Sequence, residues 1–373
     1  MRPSRLVTRS VAVLAVSPLL VAAFAGIIPT TPVAAAVSAT RPAGQLASLS
    51  IPGGFHAVAA TSAGNAWAVG YAGSFSSMKP LIARWNGTSW TRVSSPGAAG
   101  STLYGVAALS AHSAWAVGCT NGCGSKSRAL IERWNGKSWK QLRSPGPVGS
   151  GLRAVSVVSA HDAWAVGSII NSTGFHAKTL ILHWNGNAWK VVPSPSPQQS
   201  GLSGVTAISA RSAWAVGGTF SATSQAQVLA ERWNGKKWQQ VRSPAPGNGL
   251  SSVSATSARN VWAVGLGGSG GGYLILHWNG SSLKQVAIPK FSGYLPFPSA
   301  VATTSASNAW VVGSDSKSRT LIERWTGSSW TRQASPLGTL SAIAATSKSS
   351  AWAVGNTSSG KTLTLRWNGS AWR

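Results

Sequence analysis

One short pattern, Ala-Trp-Ala-Val-Gly or a one-residue variant of it, recurs so regularly that it leaves few folds open to this chain. Its tryptophan stands at Trp67, Trp115, Trp164, Trp214, Trp262, Trp310 and Trp352, at spacings of 48, 49, 50, 48, 48 and 42 residues. A constant period along nearly all of a 373-residue chain argues for one closed or stacked array rather than two or three unrelated domains.

Each copy reads as four short strands. An aliphatic residue lies nine before the tryptophan, at Val58, Val106, Val155, Val205, Val253, Val301 and Ile343, and marks an inner strand. The Ala-Trp-Ala-Val-Gly strand follows, with Trp and Val on one face and Ala on the other. A leucine and, four residues on, a second tryptophan share one face of a third strand, as Leu81 and Trp85 do in the first copy. Asn-Gly comes next in six copies and Thr326-Gly327 in one. It reads as a two-residue hairpin turn with positive φ at both positions, which would set Trp90, in the fourth strand, opposite Ala83 and on the face of Trp85. A proline six residues later closes that strand. The three periodic positions use all 20 tryptophans, Leu283 replacing one, so these rings are expected in the core.

Four antiparallel strands repeated seven times predict an all-β fold, a seven-bladed β-propeller, with an open solenoid as the alternative. Residues 46–373 resemble the secreted kelch-like propellers. The Arg-Trp-Asn-Gly-Thr-Ser-Trp hairpin also resembles the Asp-box of sialidase-type repeats, although Trp85 stands at the aspartate position. The last copy stops at Arg373, one residue into its fourth strand, and Leu46 to Pro52 match that strand with Leu46 at the tryptophan position. The N-terminal segment is therefore expected to close the ring.

Arg2, Arg5 and Arg9 precede an apolar run from Val11 to Ile28, and small residues follow through Ala36 and Ala39. This predicts a secretory leader over residues 1–39, cleaved after Ala36 or Ala39, ahead of a single domain over 40–373. An uncleaved anchor is the alternative, because the run is near the lower length limit for a span. Loss of the three leader arginines lowers the formal charge from +27 to +24. Such an imbalance predicts attraction to polyanions. Cys119 and Cys123 are expected to form a local disulfide in an exported chain, since no Cys or His cluster accompanies them to hold a metal.

Outside the leader the carboxylates are Glu132, Asp162, Glu231, Asp315 and Glu323. The glutamates share one repeat position, where other copies have Ala or Leu, and read as decoration beside Arg133, Arg232 and Arg324. A glycosidase needs a convergent carboxyl pair. The resemblance to sialidases and to galactose oxidase would imply an arginine cluster or a copper site, and no motif supplies either. The histidines, His112 and His161 or His183 and His277 at shared repeat positions, read as structural or solvated. The expectation is a non-enzyme without cofactor or metal.

Binding residues are expected on the face that carries the loops between second and third strands and between blades. Tyr71, Phe75, Phe175, Phe220, Tyr273, Phe291, Tyr294 and Phe297 fall there, and five of seven copies place a cation six residues before the second tryptophan, at Lys79, Arg128, Lys178, Arg319 and Lys361. The expected function is extracellular binding of a glycan or anionic cell-envelope polymer by a monomer. The alternatives are a scaffold for an extracellular protein and, less favoured, a polysaccharide-acting enzyme. Nucleic acid is expected to bind only non-specifically.

Overall fold

Within the strand Asn65–Ala72 the side chains divide by size between two faces. Trp67 and Val69 enter one cluster with Ile82, Trp134 and Trp139, whereas Ala66 and Ala68 enter another with Trp85, Trp90 and Trp352. A sheet with one large and one small face stacks on copies of itself in a single direction, and seven such sheets turn into a ring.

That ring is seen in the computed structural model, which describes residues 49–74, 77–170, 177–197, 199–219, 226–268, 272–289 and 295–373. The expected leader, Leu46, Phe75, Phe175, Phe220, Phe291 and Tyr294 lie outside the described residues. Leu46–Arg373 form one unit. The first blade pairs Gly53–Ser62, Asn65–Ala72, Lys79–Trp85 and Trp90–Val93 in that order, all antiparallel. Five further sheets repeat the plan. The first strands Gly53–Ser62, Thr102–Ser110, Ser150–Ser159, Ser200–Ser209, Gly247–Ser257, Pro296–Ser305 and Thr339–Ser347 pack each against the next, and the last against the first. The chain is a seven-bladed propeller with first strands around its axis.

The seventh sheet has three full strands, and its fourth lane is shared by both ends of the chain. Trp372 pairs with Trp367, while Pro52 pairs with Lys361 on the same antiparallel register once Leu46 is set at the Trp372 position. Thr362 N donates to Ile51 O and Gly53 N to Gly360 O, both at 2.9 Å. The N-terminal segment thus closes the ring as the sequence predicts.

The hairpin register is a correction. Trp90 lies directly opposite Trp85, and Arg92 lies opposite Ala83. The connection has four residues because Asn86 Oδ1 accepts the backbone N–H groups of Thr88 and Ser89 at 3.0 and 2.9 Å, a side-chain turn that competes with the two-residue hairpin. Only Gly87 takes positive φ, 105°. The two rings still share a face, since directly opposed residues do.

At each blade boundary the second-strand tryptophan meets the two rings of the following blade. Trp67 lies 4.9 Å from Trp134 and 5.1 Å from Trp139, centroid to centroid. Trp352 of the last blade meets Trp85 and Trp90 of the first at 4.7 and 5.2 Å. Only the boundary beyond Trp214 lacks the third ring, because Leu283 stands there, leaving Trp278 at 5.2 Å. The third-strand indole N–H caps its own blade, Trp85 Nε1 donating to Ala63 O at 3.0 Å. The residue before it lies over the rings: Arg84 Cζ is 5.2 Å from the Trp67 centroid, His183 is tilted against Trp164 at 4.3 Å, and His277 stacks on Trp262 at 4.2 Å. His183 also contacts Asp162 at 2.8 Å, and His277 contacts Asn260 at 2.8 Å. These histidines belong to the blade boundaries.

Cys119 and Cys123 are disulfide-bonded with Cα atoms 5.3 Å apart, across the 3-10 turn Asn121–Cys123. Thiol titration of the folded protein without reductant should find no free cysteine, and a titre of two would overturn the bond. The bridge closes a very short loop, so Cys119→Ser with Cys123→Ser should cost only about 2 kcal/mol by loop entropy.

Candidate functional site

Strand pairing sets Gly53, Ala72 and Lys79 side by side, so first-strand starts, second-strand ends and third-strand starts share one face of the ring. Lys79, Arg128, Lys178 and Lys361 are exposed there, one per blade. Arg319 is engaged: its Nε and a terminal nitrogen each lie 2.7 Å from Asp315 Oδ2. Burial pushes the Asp315 carboxyl up, but the Arg319 guanidinium and the backbone N–H groups of Arg319 and Lys317 outweigh it and hold it below its ordinary value.

The aromatic candidates divide. Phe297 is 41% exposed at the start of its blade. Tyr71 is half-buried, its ring 5.3 Å from that of His56. Tyr273, expected on the loop face, is buried inside a blade boundary instead, its hydroxyl donating to Glu323. Burial and the Glu323 charge push its phenol up. The ring fills space that a smaller residue leaves in other copies, such as Ala129.

All five carboxylates of the ring are buried. Glu132 Oε1 accepts from Ser95 Oγ at 2.7 Å across a blade boundary. Burial raises Glu132 to about 7 against the opposing hydrogen bonds of Ser95 and Gly97. Burial alone raises Glu231 to about 8, and neither of its oxygens has a partner among the described residues. Ser194, which holds the place of Ser95 in the preceding blade, is bonded to Thr179 Oγ1 at 3.0 Å. Burial also raises Glu323, although Tyr273 and Arg332 oppose it. The three glutamates stand in three separate blades, and among the described residues no three His, Cys, Asp or Glu gather into a metal site.

Sequence reasoning missed a second cluster. Every first strand carries an irregularity two residues before its marker aliphatic, and the residues set out of pairing are His56, Tyr104, Arg153, Ser203, Ser251, Ser299 and Ser341. A bulge re-aims a side chain away from the ladder. His56 and Tyr104 stack at 4.6 Å with an interplanar angle of 6°, and Arg153 Cζ stands 4.2 Å from the Tyr104 centroid. His56 Nδ1 lies 3.0 Å from Leu103 O, and since a carbonyl only accepts, Nδ1 carries the proton. Burial, aided by Arg153 and opposed by that hydrogen bond, lowers His56 to about 4. Neutral His56 keeps Nε2 as an acceptor.

Away from the axis, a cavity of about 580 Å³ opens between the fourth and fifth blades, where Gln227, Gln240, Arg242, Ser243 and Asn248 line it. Gln227 holds the position that carries a cation in other blades.

No family model matches the sequence, and no curated protein matches it. Solved structures do. The chain is similar to YCF48 bound to D1 peptide (12% identity, TM-score 0.56, covering 84% of this chain and 93% of that one). It is also similar to YCF48 from Cyanidioschyzon merolae (14%, 0.53, 86% and 98%) and to the WD40 repeats of RRP9 (12%, 0.53, 80% and 86%). At these identities the likeness establishes the propeller fold.

Proposed function

We propose that the chain is an extracellular, non-catalytic binding propeller for an anionic glycan or cell-envelope polymer. The observation that carries this reading is the sorting of charge: every carboxylate side chain of the ring is buried, while Lys79, Arg128, Lys178 and Lys361 stand free on the loop face. Burial raises all three glutamates and so disfavours the negative charge that would offset these cations. A one-signed surface attracts polyanions over a Debye length and discriminates little against other cargo of the same sign. Export rests on the leader pattern, and kinship with kelch-like or Asp-box propellers on the recurrent hairpin. Non-catalysis rests on the dispersal of the carboxylates.

Replacing Lys79, Arg128, Lys178 and Lys361 together by glutamine should weaken binding to immobilised polygalacturonate by roughly tenfold or more at low salt, with an unchanged melting temperature. Arg319 is left alone because its loss would strand Asp315. Equal binding by wild type and variant, or binding indifferent to salt, would sink the proposal.

A protein partner is the second reading. Val148, Leu295, Phe297 and Leu337 are 50, 49, 41 and 73% exposed in or beside connections between blades on the loop face. Exposed apolar side chains there suit a peptide or protein surface. Saturable capture of a protein ligand without polygalacturonate binding would select it.

A further inference from the structure

The clusters at the blade boundaries are used up by packing, and the outer cavity has polar groups without a common chemistry. The bulged residues of the first strands are different. Seven equivalent places around the axis carry three large residues in consecutive blades, His56, Tyr104 and Arg153, and serine in the other four. We infer that this ring of bulges is a specific subsite for one acidic sugar unit, its oxyanion on Arg153 and its hydroxyls toward the serine side. The inference rests on the polyanion reading above and names where, within it, recognition is specific.

Three features support it. Arg153 is exposed and forms no ion pair among the described residues, yet Tyr104, itself held flat by His56, carries its guanidinium at 4.2 Å. A guanidinium so oriented offers a planar fork to a carboxylate or phosphate without first giving up rotamer freedom. His56 Nε2 accepts an O–H, since Nδ1 is committed to Leu103 O. The hydroxyls of Ser203, Ser251, Ser299 and Ser341 have no hydrogen-bond partner among the described residues, and donate or accept as a polyol demands. An oxyanion fork facing hydroxyls and a neutral acceptor suits a hydroxylated ring with one negative charge better than a bare anion or an apolar peptide.

The approach of the blades fixes this geometry. A Cβ on Gly105, the residue after Tyr104, would lie 2.9 Å from Ala154 Cα, so the strands bearing Tyr104 and Arg153 meet closely only because glycine stands there.

The test uses the full folded ring and trigalacturonate, too short to span several loop cations, beside polygalacturonate, a short poly(glycerol phosphate) and neutral galactotriose. Trigalacturonate should bind wild type saturably. Arg153→Gln should weaken it about tenfold or more, as loss of a charged hydrogen-bonded pair does. Arg153→Lys should recover part of that loss. In wild type, saturation should move the His56 ring signals in NMR toward a higher titration midpoint, because the bound anion offsets the Arg153 charge. Binding of the phosphate oligomer in place of the uronate would overturn the acidic-sugar assignment, since that oligomer carries no sugar ring. Trigalacturonate and phosphate binding that ignores Arg153, or equal binding of galactotriose, would overturn it. Binding of polygalacturonate with none of either short acid would overturn the subsite and leave the polyanion reading standing, whereas failure of all three acids would overturn both.

Discussion

Glu231→Leu should make the ring more stable, and most clearly above pH 8. Glu231 is fully buried, neither oxygen has a partner among the described residues, and burial raises it to about 8. A carboxyl whose folded value lies above its unfolded one binds an extra proton in the native state. Its contribution is complete below the unfolded value, near 4.5, and is lost as pH rises through the folded value. For one such proton the loss is about 1.4 kcal/mol per pH unit across that window. Wild type should therefore melt at a lower temperature at pH 8.5 than at pH 5.5. Leucine already occupies this position at Leu182, Leu276 and Leu365, all inside blade boundaries of the same build. The substitution exchanges an orphaned polar group for an apolar one and so removes the penalty of a buried unsatisfied group, about 1–3 kcal/mol.

Glu231→Gln separates charge from shape, since it should flatten the alkaline decline without filling the site with apolar atoms. Glu132→Leu should gain less, because it strands Ser95 Oγ, which Glu132 now accepts from. Denaturant unfolding of the three variants at pH 5.5 and 8.5 is the measurement. An unchanged pH profile in Glu231→Leu would show that this glutamate is not the group that titrates with folding.

The glutamates also show where reading from sequence stops. Their shared repeat position was visible, and so were the Ala and Leu of the other copies, which are the mark of a buried place. An adjacent arginine in the same copies made them read as repeat decoration. In the structure Arg133 and Arg324 lie over tryptophan rings on the opposite side of the strand, because neighbouring residues of a strand face opposite ways. Periodicity exposed the blades, their number and the closing segment, since all of these depend on repeated side-chain size. It set the hairpin register wrongly because the Asn86 side chain supplies hydrogen bonds that a backbone turn would otherwise make. His56, Tyr104 and Arg153 escaped notice because they share a place and not a residue type, and because a bulge breaks the alternation from which a face is inferred.

Trp352→Ala should cost about 3–5 kcal/mol and open the ring at its closing boundary. Trp352 is 1% exposed, and the rings of Trp85 and Trp90, the latter edge-on, pack against it with Arg366 above. Removing it takes away one ring and leaves a cavity between two others. Trp67→Ala deletes the equivalent ring between the first and second blades and should lose a similar amount, but those blades remain joined by the chain from Val93 to Thr102. The boundary at Trp352 has no such link: among the described residues it is held by the bonding of Leu49 to Gly53 with Gly360 to Thr362 and by the packing of the last blade on the first. Trp352→Ala alone should therefore add cleavage near the termini in limited proteolysis at temperatures where Trp67→Ala is still intact. Trp352→Phe keeps a ring and deletes an indole N–H that has no partner among the described residues, so it should lose far less than alanine. A loss below about 1 kcal/mol for Trp352→Ala, or the same cleavage pattern in both alanine variants, would show that the tryptophan contacts do not hold the ring shut.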